Sequence, residues 1–397
     1  MELKRIDNYL LKALYLAEAG IVITQVLGLD SLTSVLFLVT FPITVLLWIR
    51  AIRQTFLETD MIVIITAALA VVGVLINAAG ANADIGFAYL KKLIMFIMAL
   101  LFFQAAYRMR VDDALSEFIR KVVDFLVVFL IAMYFLRRGQ MHMLNGRRTL
   151  YLTFGFSNPN MTALFLVSLY VLKMHRMFER KKWYVKLIDF LQLLLMAWFV
   201  VETQSRNALL VMVMFTAIAI WLIFRGHRNL RITKGWAILF TLMPAALVVC
   251  YMLLIENEWI HETFSFLVGE GKKLDSRVAI WEPALRHLWQ SPVLGAYYQI
   301  SNGTGAAQMH NSHMDIAASY GIPVLVLVCV LLVNYLHQHG RIYSDRTCYI
   351  YILGFACMIA LGMGEAAVFS GGLGVYIMAG ACLLLADRKD MSDTLEQ

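Results

Sequence analysis

Cysteine and charge are both scarce in this chain of 397 residues. The five cysteines (Cys250, Cys329, Cys348, Cys357, Cys382) form no CxxC pair and lie in or beside apolar runs, so they read as small buried hydrophobes. A disulfide framework, a thiolate metal site and redox chemistry are all disfavoured. Asp, Glu, Lys and Arg make up only 15% of the chain, against about 25% in ordinary soluble domains. Also missing are a low-complexity linker, a repeat at a fixed period and a separate soluble domain. The first apolar run carries no small-residue cleavage site, so it reads as a retained helix and not as a removed signal peptide.

What is present is apolar sequence, at 61% of residues and a mean hydropathy of +0.72. Such a composition predicts an all-α integral membrane protein. Apolar runs near residues 10–29, 32–49, 61–79, 87–106, 119–136, 151–172, 187–203, 207–224, 236–255, 315–336, 347–363 and 371–386 predict about twelve transmembrane helices. They form one polytopic domain over residues 1–397, interrupted by one long loop, residues 256–314, between the ninth and tenth helices.

Positive charge near span ends is held on the cytoplasmic side. Most of the 34 basic residues fall at the N-terminus, in alternate loops and in the C-terminal tail. Both termini are therefore expected in the cytoplasm and the 256–314 loop on the outer face. The net charge of +7 follows from that bias and gives no reason to expect nucleic acid. The bases that break the rule are Lys91, Lys92, Arg137, Arg138, Arg147, Arg148, Arg206, Lys272, Lys273, Arg277 and Arg286. Anion binding is the natural explanation for such exceptions.

Three clusters gather on the expected outer face. Thr203-Gln204-Ser205-Arg206-Asn207-Ala208 forms a tight turn between two spans. Arg206 either pairs with Glu202 to close a helical hairpin or grips phosphate with its guanidinium fork. The stretch Asp275–Trp289 reads as an amphipathic element along the membrane, with Arg277 and Trp281 on one face and Pro283 expected to kink it or begin a second piece. Trp281 and Trp289 suit the bilayer interface. Acids outnumber bases over residues 256–309, so Arg277 and Arg286 look placed.

The third cluster is Met309-His310-Asn311-Ser312-His313-Met314-Asp315 at the entrance of the tenth span. His310 and His313 are three apart, but with no third His and no Cys nearby a metal site is the weaker reading. An imidazole opposite arginines suits general-base work near neutral pH, with His310 the stronger candidate. Arg147 and Arg148, with Arg137 and Arg138, precede Asn158-Pro159-Asn160 and would meet either anionic lipid headgroups or a polyanionic substrate. Lys91 and Lys92 share that choice. Glu18, Asp124 and Glu365 are intramembrane acids without an assigned role.

Taken together the clusters resemble the O-antigen ligase and O-antigen polymerase superfamily of bacterial membrane glycosyltransferases. The resemblance rests on Ser205-Arg206-Asn207-Ala208-Leu209, on Arg277, Trp281 and Pro292-Val293-Leu294-Gly295, on His310-Asn311 followed by Gly321-Ile322, and on Asn158-Pro159-Asn160. Gly295-Ala296-Tyr297-Tyr298 departs from the usual Gly-x-Gly. The resemblance implies a GT-C-like membrane fold and transfer of a glycan from an undecaprenyl-pyrophosphate-linked oligosaccharide donor to a saccharide or glycolipid acceptor, with inversion. It implies Arg206 and Arg277 at the pyrophosphate and His310 as base, with Arg147, Arg148, Arg286, Trp281, Asn311 and His313 as further candidates for substrate contact.

No cofactor and no metal is expected; the first outer loop offers only Asp30 for one. The implied setting is the cytoplasmic (inner) membrane. Implied partners are the lipid bilayer and a chain-length regulator or flippase. Polymerisation of repeat units is favoured over ligation to lipid A-core. A transporter of lipid-linked oligosaccharide is the non-enzyme alternative, disfavoured because no broken helix or paired repeat shows in the sequence.

Overall fold

The computed structural model describes residues 2–53, 56–78, 83–137, 141–144, 150–156, 158–225, 232–254, 272–296, 309–340, 346–366, 369 and 374–386. Among the described residues nine helices precede residue 256: α1 (Glu2–Val26), α2 (Asp30–Ile52), α3 (Glu58–Ala78), α4 (Ala83–Arg108), α5 (Asp113–Leu136), α6 (Pro159–Glu179), α7 (Trp183–Glu202), α8 (Arg206–Arg225) and α9 (Lys234–Leu254). Then come α10 (Lys272–Gln290), α11 (Ser312–Tyr320), α12 (Ile322–Gly340), α13 (Arg346–Leu361) and α14 (Val375–Leu385). A small antiparallel hairpin, β1 (His142–Leu144) and β2 (Leu150–Leu152), pairs His142 with Leu152 between α5 and α6.

Among the described residues seven helices are long and apolar enough to cross a membrane: α1, α2, α3, α4, α6, α7 and α8. Shorter apolar helical stretches lie in α9, α12, α13 and α14. The first half of α5 carries Asp113, Glu117, Arg120, Lys121 and Asp124, which lowers its hydropathy. Two expected spans differ from the sequence reading. The sixth starts at Pro159, because residues 150–152 are strand. The tenth is broken at Gly321 into α11 and α12, so a discontinuous helix is present after all.

The core is a central set of helices enclosed by more peripheral ones. α6, buried continuously from Met161 to Arg176, and α14, buried throughout, are enclosed on every side; α14 is apolar all round, and the buried charges of α6 are confined to its C-terminal turns. Peripheral helices instead turn large apolar side chains outward, among them Leu38, Leu75, Trp183 and Phe224. A water-facing surface of that kind would be unstable; a hydrocarbon-facing one needs no polar cover.

Helix starts are locally encoded where the site is built. Asn158 caps α6 by accepting from the Asn160 N–H (2.9 Å), with Pro159 in the first helical position, where its missing N–H costs nothing. Asn311 caps α11 by accepting from the His313 and Met314 N–H groups, both at 3.1 Å. α10 runs as one helix through Pro283, so the proline neither ends it nor begins a second piece.

One of the unassigned acids, Asp124, is explained by packing. Asp124 on α5 meets Lys173, Arg176 and Arg180 of α6 and its C-terminal end at 2.7, 3.1 and 3.2 Å. Asp189 on α7 takes Lys173 at 2.5 Å, which ties the three helices together. Glu365 belongs to the site below. Glu18 lies buried against Gly374, with no hydrogen-bond partner among the described residues.

Candidate functional site

α13 ends at Leu361, and the chain then turns through Gly362, Met363, Gly364 and Glu365. This turn gathers residues from three other parts of the sequence. Asn207, next to Arg206 on α8, donates from Nδ2 to the Leu361 carbonyl (2.9 Å). Asn311 Nδ2 reaches both the Met363 carbonyl (3.1 Å) and the Pro244 carbonyl of α9 (2.9 Å). The Ser312 N–H donates to the Gly362 carbonyl (2.8 Å), and its hydroxyl to that of Glu365 (3.1 Å). Gly364 is required by closeness: a Cβ there would lie 2.8 Å from Asn207.

The side chain of Glu365 is 3% exposed and holds two groups. Asn160 of α6 donates to Oε1 at 2.5 Å, and His310 Nδ1 lies 3.0 Å from Oε2. An ionised carboxylate on Nδ1 fixes the imidazole tautomer with its proton there and makes Nε2 the basic nitrogen. The His310 side chain remains 33% exposed, so it combines a buried anchor with an open edge. Its backbone has φ +50°, a left-handed conformation uncommon for a non-glycine residue and worth about 1–3 kcal/mol of strain. Such strain persists only where neighbours over-determine the loop.

They do so here. Trp281 of α10, 2% exposed, donates from Nε1 to the Met309 carbonyl (2.7 Å). Expected at the bilayer interface or in contact with substrate, it is instead buried as the support under the residue before His310. Asn311, fully buried, is a helix cap and a clasp on the 361–366 turn. His313 is 3% exposed, with Nε2 3.4 Å from Cys329 Sγ, so it sits behind the site and not in it.

The arginines separate. Arg206 is exposed at the first residue of α8. Its expected local partner is engaged elsewhere: Glu202 accepts from the Tyr134 hydroxyl (2.7 Å) and Trp198 Nε1 (2.9 Å) and lies 3.1 Å from His142 Nε2. Among the described residues no ion pair joins Arg206 to Glu202. Arg286, by contrast, forms an exposed i,i+4 pair with Glu282 (3.0 Å) on the open face of α10, opposite the buried Trp281, Ala284 and Leu288. Arg277 lies on α10, with its side chain outside the described residues, as are Arg147 and Arg148. Lys92 is no free cation: it is buried against Asp315 of α11 at 2.7 Å.

Sequence reasoning missed Glu365 and the partnership of Asn160 with it. The available signal was an acid in an apolar, glycine-rich stretch, which is functional by default in a membrane. The geometry joins the Asn-Pro-Asn triplet, the Ser-Arg-Asn-Ala turn and the His-Asn pair at one place. No curated protein matches the chain. Residues 191–329, which hold Arg206, Trp281, His310 and Asn311, match the family model described as O-antigen ligase, and this supports the resemblance to the O-antigen ligase and O-antigen polymerase superfamily.

Proposed function

We propose that the protein transfers a glycan from undecaprenyl pyrophosphate to an acceptor sugar hydroxyl on the outer face of the cytoplasmic membrane, polymerising surface polysaccharide repeat units. The observation that carries this reading is the His310–Glu365–Asn160 chain, assembled on the same turn that binds the residue after Arg206. In this reading twelve helices cross the membrane, both termini are cytoplasmic, and residues 256–314 lie outside. A chain-length regulator or a flippase would be the protein partners.

His310 Nε2 takes the acceptor hydroxyl proton as the oxygen attacks the anomeric carbon, and Glu365 stabilises the imidazolium that forms. A positioned base contributes about 10²–10⁴-fold. The bond to the pyrophosphate oxygen breaks on the opposite face of the sugar, which inverts the anomeric centre. Arg206 and Arg277 meet the charge growing on the leaving group, and the N-terminal end of α8, where Arg206 is exposed, adds the positive end of its helix dipole to that field. Preorganised cations of this kind serve a pyrophosphate leaving group without a metal.

The test uses protein in lipid nanodiscs with an undecaprenyl-pyrophosphate-linked oligosaccharide, beside folded His310→Ala and Arg206→Ala variants, with products resolved by size. A ladder from the wild type that is lost in His310→Ala is the expected result. A single addition only to lipid A-core would favour ligation, the reading that the matched family's description favours. Unchanged transfer by His310→Ala would overturn the assignment of the base.

A further inference from the structure

Lys92 of α4 breaks the charge-sidedness pattern, and the structure gives it a partner of its own. On one face of α4, Tyr89, Lys92 and Phe96 stand at i, i+3 and i+7. The Tyr89 hydroxyl donates to the Ser319 carbonyl of α11, and the Phe96 ring packs 4.4 Å from that of Tyr320. Between these two contacts Lys92 Nζ meets Asp315 Oδ1 at 2.7 Å, with side-chain exposures of 8% and 1%. Tyr89 and Phe96 already dock α11, and a buried ion pair is weak as a stabiliser because both charges lose water. Something other than docking is served by placing a charge there.

The same Asp315 Oδ1 accepts the Met309 N–H at 3.1 Å. The Met309 carbonyl is held from the other side by Trp281 Nε1. The two peptide planes leading into His310 are thus fixed by two side chains, one of them set by Lys92. With those planes fixed, the left-handed turn at His310 brings Nδ1 to Glu365.

We propose that Lys92 is a positioning residue for His310, acting through Asp315 and the Met309 backbone and not by binding substrate. This inference rests on the assignment of His310 as the base. Its role is geometric: the ammonium keeps Asp315 seated, Asp315 holds Met309, and Met309 aims the imidazole. Displacing a reacting group by about 1 Å can cost about a hundredfold in rate.

The experiment compares wild type, Lys92→Met, Lys92→Arg and His310→Ala in nanodiscs, measuring kcat and KM for the lipid-linked donor. Backbone hydrogen exchange is followed over residues 309–314 in the same samples. Lys92→Met is expected to lower kcat by about tenfold to a hundredfold at unchanged KM and to speed exchange at Met309, with Lys92→Arg recovering most of the loss. Wild-type kcat and exchange in a folded Lys92→Met would overturn the proposal, as would a loss carried by KM. If Lys92→Met does not fold, Lys92→Arg carries the comparison: a folded Lys92→Arg with transfer as low as that of His310→Ala and protected exchange over 309–314 would overturn it. Transfer that survives in His310→Ala defeats the base assignment itself; transfer lost there but intact in Lys92→Met defeats only this inference.

Discussion

In the proposed mechanism a single buried carboxylate decides how His310 works. There Glu365 orients the ring and balances the charge it acquires, so Glu365→Gln, which keeps the shape and removes the charge, should leave a folded protein with impaired transfer. Its loss cannot exceed the contribution of the base, about 10²–10⁴-fold, so its rate should lie between wild type and His310→Ala; a rate equal to wild type would show the carboxylate to be structural only. Legibility at this scale followed chemistry visible in short motifs. Arg206, His310 and the Asn-Pro-Asn triplet stood out because polar residues at span ends are conspicuous. Glu365 could not be attached to His310, since the contact spans 55 residues and no spacing rule reaches that far. Trp281 looked like an interface residue because sequence gives composition but not which face of α10 packs inward.

The break between α11 and α12 shows what a hydropathy average hides. Gly321 has φ +95°, and a side chain there would collide with the Val293 carbonyl. Gly321→Ala combines that collision with about 1–3 kcal/mol of backbone strain, so a clear fall in thermal midpoint is expected in detergent or nanodiscs; an unchanged midpoint would mean the turn relaxes freely. The Gly321-Ile322-Pro323 sequence did carry the signal, since glycine after a helix end and proline just inside the next are its usual punctuation. The apolar run was long enough to read straight through it. The sixth span is shortened by the opposite cause: Leu150-Tyr151-Leu152 is apolar enough for a span but extends as β2.

At the scale of the whole molecule, the all-α character with helices apolar enough to cross a membrane was readable because length and hydropathy are local properties, whereas the ion-pair network among α5, α6 and α7 was not. Lys173 is 2% exposed between Asp124 and Asp189. Lys173→Met should destabilise the bundle by about 3 kcal/mol, the low end for breaking a buried pair, because Arg180 still reaches both acids. Thermal unfolding of Lys173→Met beside Lys173→Met/Asp189→Asn would check it, the double variant recovering part of the loss. The site itself hangs on the 361–366 turn, which binds groups from α6, α8 and the segment around Asn311. During biosynthesis the ribosome reaches Glu365 after it has made every other group which that turn collects. In the proposed mechanism a nascent chain already threaded into the bilayer therefore holds its arginine and histidine without the carboxylate that orients the imidazole, and the proposed transfer is withheld until translation has passed that point.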